Sequence, residues 1–343
     1  MSDILKEYRY DGSEKLNLKK VCHDSGGRKD QKAKLIKQTE KNLQEIADLQ
    51  EKLYAESKES VLIVLQALDA AGKDSTIKHV LASVNPQGII VHSFKGPNST
   101  EESHDFLWRY HKRLPSRGIM CIFNRSYYEE VLVVNVHEFW KGYKMPKRTL
   151  TKDYIKNKYK DICSWENYLY GNGYRIVKFF LNLSKDEQKR RFLERIDRKE
   201  KNWKFSPNDI KERAYWDKYQ EAFEDAINAT STKDCPWYVL PADQKWYTRY
   251  LVSEVLVQTL RDINPSFPKL PDDDKNRLAD CKALLEAEGG TVPAKKEEKK
   301  EKAEKKAAAP KEQKPKKAKE SQRKPKKDKK DKKEKLTANA AIK

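Results

Sequence analysis

Cysteine is scarce in this chain: Cys22, Cys121, Cys163, Cys235 and Cys281 among 343 residues, an odd number with no paired spacing. That excludes a disulfide framework and the paired ligand spacing of a structural zinc site, and it points to a reducing compartment. Long apolar runs are missing too. The longest, such as Ile119–Phe123, fall far short of the roughly 20 residues that a bilayer-spanning helix needs. Met1 to Lys20 is charged throughout and offers no apolar signal segment. The expectation is a cytoplasmic protein without a membrane partner. From Thr291 to Lys343 there is no aromatic residue at all, and the composition collapses to Lys, Ala, Glu and Pro. Such a segment cannot bury enough apolar surface to offset the cost of ordering, so a disordered, Lys-rich tail is expected. It holds 22 basic and nine acidic residues, +13 of the chain's net +20, which leaves only +7 on residues 1–290.

What is present suits a globular enzyme. Hydrophobic residues make up 37% of the chain and aromatics 10%, enough for a real core. Residues 1–28 read as irregular. Leu35, Ile36, Leu43, Ile46, Leu49 and Leu53 then recur near helical spacing, which predicts one long amphipathic helix from Lys29 to about Glu56. Beyond it strands and helices alternate. Strands are expected at 61–66, 88–94, 118–123, 174–183 and 236–241, and helices at 75–84, 100–113, 151–170, 184–196, 209–229 and 245–262. Short apolar strands separated by helices argue for a parallel five-stranded sheet covered on both faces. The chain thus divides into an N-terminal segment with its long helix (1–60), an α/β core (61–265), a short extension (266–290) and the tail (291–343).

The first strand is the most informative. Val61–Leu65 runs through Gln66–Ala71 into Gly72-Lys73 and a helix, so a buried strand delivers a lysine and a row of backbone N–H groups to one point. Helix N-termini carry unpaired donors and partial positive charge, a setting made for phosphate. The match to the P-loop pattern is incomplete: Ala67 stands where the pattern has Gly, and Asp74 where it has Ser or Thr. Ligands of parallel sheets gather at the strands' C-terminal ends. There the chain places Asp69 and Lys73; Lys95, followed by Glu102, His104, Asp105 and Arg109; Asn124, Arg125 and Glu129; the run Lys189 to Lys204; and Asp243. Cations and carboxylates at nearly every strand end are what phosphoryl transfer requires, because cations neutralise the phosphoryl oxygens and a carboxylate holds Mg²⁺. No Cys, Ser or second His is spaced to make His104 a ligand or a base, so it reads as structural. Trp203, Trp216, Tyr219 and Phe223 read as packing.

Four blocks of sequence, Ala67–Asp74, Phe123–Val134, Trp203–Ser206 and Ala229–Asp243, resemble the polyphosphate kinase 2 family, in family order and over roughly residues 5–265. Asn124-Arg125-Ser126-Tyr127-Tyr128-Glu129-Glu130 is similar to its class III subgroup. The resemblance implies a three-layer α/β/α kinase fold akin to thymidylate kinase, with a helical lid at about 185–212. It also implies Mg²⁺-dependent, reversible transfer between inorganic polyphosphate and ADP or AMP, or their guanine counterparts, with Mn²⁺ as an alternative metal and a homo-oligomeric assembly. On that footing Lys73 and the amides of Ala70, Ala71, Gly72, Asp74 and Ser75 would hold the transferring group. Asp69 would ligate the metal or polarise the attacking phosphate, and Asn124 would contact the metal only as a neutral group through water. Arg125 would clamp phosphate oxygens with two parallel bonds. Arg190, Arg191, Arg195, Lys201 and Lys204 would line the lid and the polyphosphate channel, and Lys95, Arg109, Tyr128, Glu129 and Glu130 would position the nucleotide. The resemblance does not reach the tail, whose charge suits it to concentrate polyanions, to bind RNA or ribosomes non-specifically, or to serve only for solubility. Two rivals stand beside this reading. One is an ATP-dependent nucleoside monophosphate kinase, which should carry a strict Gly-Lys-Ser/Thr. The other is a basic nucleic-acid-binding protein, for which the core shows no recognition signature.

Overall fold

A computed structural model describes residues 3–288 of the chain. The expected tail at 291–343 lies outside the described residues. Six strands form one sheet: β1 (Arg9–Tyr10), β2 (Ser60–Gln66), β3 (Ile89–Ser93), β4 (Met120–Asn124), β5 (Tyr174–Asn182) and β6 (Trp237–Pro241), in the spatial order β1-β6-β5-β2-β4-β3. Strands β2 to β6 are mutually parallel, as expected. β1 is the addition: it pairs antiparallel with β6, Arg9 opposite Tyr238 and Tyr10 opposite Trp237, and makes the sheet mixed. Two residues are too few to show an alternating pattern, which is why 1–28 read as irregular.

The sheet is covered on both faces. The principal helices are α1 (Lys32–Glu56), α2 (Lys73–Val80), α3 (Tyr154–Gly171), α4 (Lys185–Asp197), α5 (Pro207–Arg213), α6 (Trp216–Thr230) and α7 (Lys245–Ile263). Side chains alternate along each central strand. Val61, Ile63 and Leu65 of β2 join Met120 and Ile122 of β4 in one apolar layer, roofed by Ile46 and Leu53 of α1 and Leu251, Val255 and Leu256 of α7. Leu62 and Val64 join Cys121 and Phe123 in the other, against Ile162 and Leu169 of α3 and Phe223 and Ile227 of α6. Burying a Leu, Ile or Phe contributes about 1.5–3 kcal/mol, so these two layers dominate the stability of residues 3–269. Helix α1 presents Leu35, Thr39, Asn42, Ile46, Gln50 and Leu53 inward at helical spacing. Asn42 Nδ2 fixes its register on α7 by donating to Ser253 Oγ at 2.9 Å and Glu254 Oε1 at 2.8 Å. A separate helix, Asp272–Ala287, belongs to a second unit that begins at Leu270.

Two expected helices are broken. The one at 100–113 consists of short turns at Ser99–Glu102 and Trp108–His111. Ser103 Oγ donates to Thr100 O, and Asp105 accepts from the Leu107 amide; such local bonds compete with helix continuation. The one at 209–229 is α5 followed by α6. It starts early because Ser206 accepts from the Asn208 amide with Pro207 in the first turn.

The chain enters β2 at mid-sheet, moves out to the β3 edge, returns as β4, then crosses to β5 on the other side of β2. That reversal opens a crevice beyond the C-terminal end of β2, and the site lies there.

Candidate active site

The turn after β2 is built around backbone that few residues adopt. Ala70 has φ of +64° and Gly72 has φ of +103°. A left-handed Ala costs about 1–2 kcal/mol, so something must hold it. Arg191 of α4 does: Nη1 donates to the carbonyls of Ala70 (3.0 Å) and Ala71 (2.8 Å), and Nη2 to those of Ala242 (2.7 Å) and Asp243 (3.1 Å). Gln188 Nε2 adds a bond to Asp69 O at 3.0 Å. The phosphate turn is therefore tied to the first lid helix and to the end of β6. Helix α2 starts at Lys73 without a side-chain cap, which leaves its first-turn N–H groups for a ligand. Ser75 Oγ donates to Gly72 O at 2.9 Å.

Lys73 Nζ donates to Ala67 O at 2.8 Å and reaches Leu68 O at 3.4 Å. Loss of solvent around the ammonium, with Arg125 nearby, lowers its pKa, while Asp69, Glu129 and Asp74 pull the other way. Across the turn, Arg125 follows β4 in the left-handed region, φ +62°, and its N–H donates to Leu65 O at 3.2 Å. Its Nη2 lies 2.8 Å from Asp69 Oδ1 and its Nη1 3.8 Å from Glu129 Oε2. Burial weighs against the charged guanidinium, and Glu129 and Asp69 outweigh it, so its pKa is raised. Glu129 also accepts from Gln66 Nε2 at 3.1 Å. Asn124 Nδ2 donates to Asp74 Oδ1 at 2.8 Å, while its Oδ1 is buried without a partner.

Above this turn a cleft is lined by Asp69, Arg125, Glu129, Leu132, Val133, Gln188, Asp209, Glu212, Arg213, Trp216 and Phe223. Burial and the Asp69 charge raise the pKa of Asp209. Asp69, Lys73, Asn124, Arg125 and Glu129 thus meet at one place. Gln188, Asp209, Glu212 and Arg213 join them, and the sequence reading had not picked them out. The signal was available: a Ser-Pro helix start followed by acids at i and i+3 sets two carboxylates on one face of α5.

Several expected site residues are placed elsewhere. Tyr128 is fully buried in the layer against α3 and α6, with its hydroxyl bonded inside the core rather than in the cleft. Glu130 is buried and accepts from Tyr154 OH (2.6 Å) and Tyr143 OH (3.2 Å). Arg191 spends its donors on main-chain carbonyls and on Glu187, so it supports the turn instead of lining a channel. Arg109 stands 3.4 Å from Glu101 with Phe94 and Tyr110 under its guanidinium; Lys95 is exposed. Among the other lid cations, Arg190 pairs with Glu187, Lys201 with Glu194, and Arg195 with Asp209 at 3.3 Å. Lys204 Nζ sits 4.9 Å over the Trp203 ring. Trp216, Tyr219 and Phe223 are buried packing residues as expected, whereas Trp203 is 78% exposed. His104 stacks on Trp108 and bonds Thr100 O, a local structural role.

Among the described residues no group of three or more His, Cys, Asp or Glu is arranged to hold a metal ion, and no helix is long and apolar enough to cross a membrane.

Comparison with known proteins places this geometry. A family model described as polyphosphate kinase 2 matches residues 29–268. An ADP-polyphosphate phosphotransferase of Rhodopseudomonas palustris is 47% identical over 245 residues, 71% of this chain and 85% of that protein. An AMP/ADP-polyphosphate phosphotransferase of Meiothermus ruber is 47% identical over 221 residues, 64% of this chain and 79% of that one. The crystal structure of polyphosphate kinase 2 from Arthrobacter aurescens superposes with a TM-score of 0.72 at 36% identity, covering 81% of this chain and 95% of that chain.

Proposed function

The chain belongs to the polyphosphate kinase 2 family, and from that premise we propose that it moves phosphoryl groups between inorganic polyphosphate and nucleotides, with ADP and AMP as acceptors. The observation that carries this reading is the meeting of Lys73, Asp69 and Arg125 around an uncapped helix start at the sheet's crevice. In the forward direction a phosphate oxygen of the nucleotide attacks the terminal phosphorus of the polymer. The bridging P–O bond breaks, and its electron pair leaves with the shortened chain. The attacking oxygen is already ionised at neutral pH, so no general base is needed, and a cleft without histidine suffices. Catalysis is then positioning and charge neutralisation. A phosphoryl oxygen at the turn offers Lys73 a charged partner in place of two neutral carbonyls, and the free N–H groups of α2 share the same anion. Arg125 turns its planar fork to two phosphate oxygens once Asp69 is engaged elsewhere.

Magnesium fits these residues. Mg²⁺ keeps waters and substrate oxygens and needs only one or two carboxylates from the protein. Asp69 would supply one, and Asn124, whose Oδ1 is buried without a partner, would offer that oxygen as a neutral acceptor. When bound, the ion would neutralise charge on the phosphoryl oxygens and let Asp69, Glu129 and Asp209 share one cleft with anionic substrates. Leu132, Val133, Trp216 and Phe223 offer the apolar wall that a nucleobase needs. The lid residues Arg190, Arg195 and Lys201 would exchange their internal carboxylate partners for the polymer, and Lys204 would leave the Trp203 ring for it. We place this chemistry in the cytoplasm, where nucleotides and magnesium are at hand. We also infer self-association, because edge strand β3 leaves Ile90 and Val91 exposed.

The test is direct. The protein is incubated with long-chain polyphosphate and Mg²⁺, without ATP, and with AMP, ADP, GMP or GDP in separate reactions. ATP from ADP and ADP from AMP are expected. Product only when ATP replaces polyphosphate would instead identify a nucleoside monophosphate kinase.

A further inference from the structure

Two of the sequence blocks, Phe123–Val134 and Ala229–Asp243, contribute little to the cleft beyond Arg125, Glu129, Leu132 and Val133. Their hydroxyls and rings converge instead deeper in the same layer, between the sheet and helices α3 and α6. Glu166 of α3 and Lys178 of β5 form an ion pair at 2.7 Å, with side chains 1% and 0% exposed. Glu166 Oε1 accepts from Tyr127 OH at 2.7 Å. Lys178 Nζ uses its three donors on Glu166 Oε2, on Tyr128 OH at 3.0 Å and on Thr230 O at 2.8 Å. Tyr128 OH has Glu166 Oε1 and Thr230 Oγ1, each 2.9 Å away, to receive its proton, and Trp237 Nε1 donates to the same Thr230 hydroxyl at 3.0 Å. Every donor on the lysine and both carboxylate oxygens are engaged.

We propose that the Glu166–Lys178 pair is a positioning centre for Arg125, acting through Tyr127 and Tyr128. Arg125 sits two residues before Tyr127, in the left-handed backbone region, on a turn whose only helix is the single 3₁₀ turn Tyr127–Glu130. The Arg125 N–H bond to Leu65 O and the Ser126 side chain under the Tyr128 amide hold the backbone locally. The two tyrosines tie that turn to α3 and β5, because a carboxylate already oriented by an ammonium accepts their hydroxyls in one geometry only. Apolar side chains at positions 166 and 178 would fill the same space without burying charge. A buried ion pair is seldom the more stable choice than apolar packing, and its best-attested use is to fix one arrangement. The aromatic pair is thereby held in register with β5 and α6, and the guanidinium with it.

The kinetic arm of the test rests on the reading of Arg125 as the phosphate clamp; the structural arm does not. Tyr128→Phe removes one oxygen and opens no void. It is expected to lower kcat with polyphosphate about tenfold, at a temperature well below its melting point, with the nucleotide KM within about twofold of wild type. In an Arg125→Lys background the same substitution should cost less than about twofold, since the group it positions is gone. A lower melting temperature with unchanged kcat, or equal losses in both backgrounds, would reduce the network to a structural one. Glu166→Gln should reproduce the loss; if that variant does not fold, Tyr128→Phe alone decides. A crystal structure of Tyr128→Phe reads the placement whatever the substrate proves to be. Displacement of Arg125 from its 2.8 Å bond to Asp69 is expected, and an unmoved Arg125 would overturn the proposal.

Discussion

Lys73 is the side chain whose ionisation responds most directly to what fills the phosphate turn. Desolvation holds its folded pKa below the ordinary value, which the unfolded chain restores at about 10.4. Between those two values the unfolded state binds more protons, so stability rises with pH through that window. Below the window the enclosed ammonium weighs against folding in full; above about 10.4 both states are neutral and the penalty is gone. Lys73→Met is therefore expected to raise the melting temperature at pH 7, with the gain shrinking as pH approaches 10, as followed by thermal unfolding of both proteins across pH. The same variant should lose at least about 100-fold in turnover, because a positioned charge on the transferring group is gone. A gain in stability beside a loss of activity is the signature of a group kept for its ligand. Equal melting curves at every pH would show that the ammonium carries no folding penalty.

At the scale of elements, the site depends on strands that end in register. Asn124 and Arg125 sit where β4 ends because Gly118 lets the chain enter that strand beneath the end of α1. Gly118 has φ of +86°, and a Cβ there would lie 3.1 Å from Tyr54 O and 3.3 Å from Leu53 O. Both are main-chain atoms at the C-terminus of α1 and cannot swing aside. Gly118→Ala is expected to destabilise by about 1–3 kcal/mol in urea unfolding, and unchanged stability would mean that the α1–β4 junction yields. Much of this frame was legible in the sequence. Unbroken β-branched and apolar runs mark strands buried on both faces, and the step from Leu65 through Asp69 to Gly72-Lys73 marks where the first of them presents ligands. Partnership was harder to read. Arg191 lies in a basic run that looks like a solvated, substrate-facing surface, and only the turn of α4 shows that its fork meets four carbonyls. Tyr128 reads equally well as a ligand or a core residue until α3 brings Glu166 beneath it. The sequence does carry one clue: Lys178 stands inside the apolar run Ile176–Leu181, and a lysine in a buried strand demands a buried acid.

At the scale of the whole molecule, charge is distributed unequally between catalysis and capture. Residues 185–213 hold 11 basic and seven acidic side chains, a modest excess, and five of those cations are paired with lid carboxylates. Residues 289–343 carry 22 basic and nine acidic residues, a net +13. Charge alone therefore predicts a stronger pull on a polyanion from residues 289–343 than from residues 185–213. Polycation–polyanion binding releases counterions, so its strength falls with salt in proportion to the cations engaged. Truncation after Glu288 is accordingly expected to leave kcat at saturating polyphosphate within about twofold, since the cations of the cleft are untouched. It should raise KM for long-chain polyphosphate at low salt and flatten the dependence of log KM on log salt, whereas KM for tripolyphosphate, with few charges to engage additional cations, should hardly move. If long and short donors lose affinity alike, the segment acts on the fold rather than on the polymer. If neither changes, donor capture belongs to the lid alone, and its ion pairs must open more readily than their 2.6–3.3 Å separations at Arg190 and Arg195 suggest.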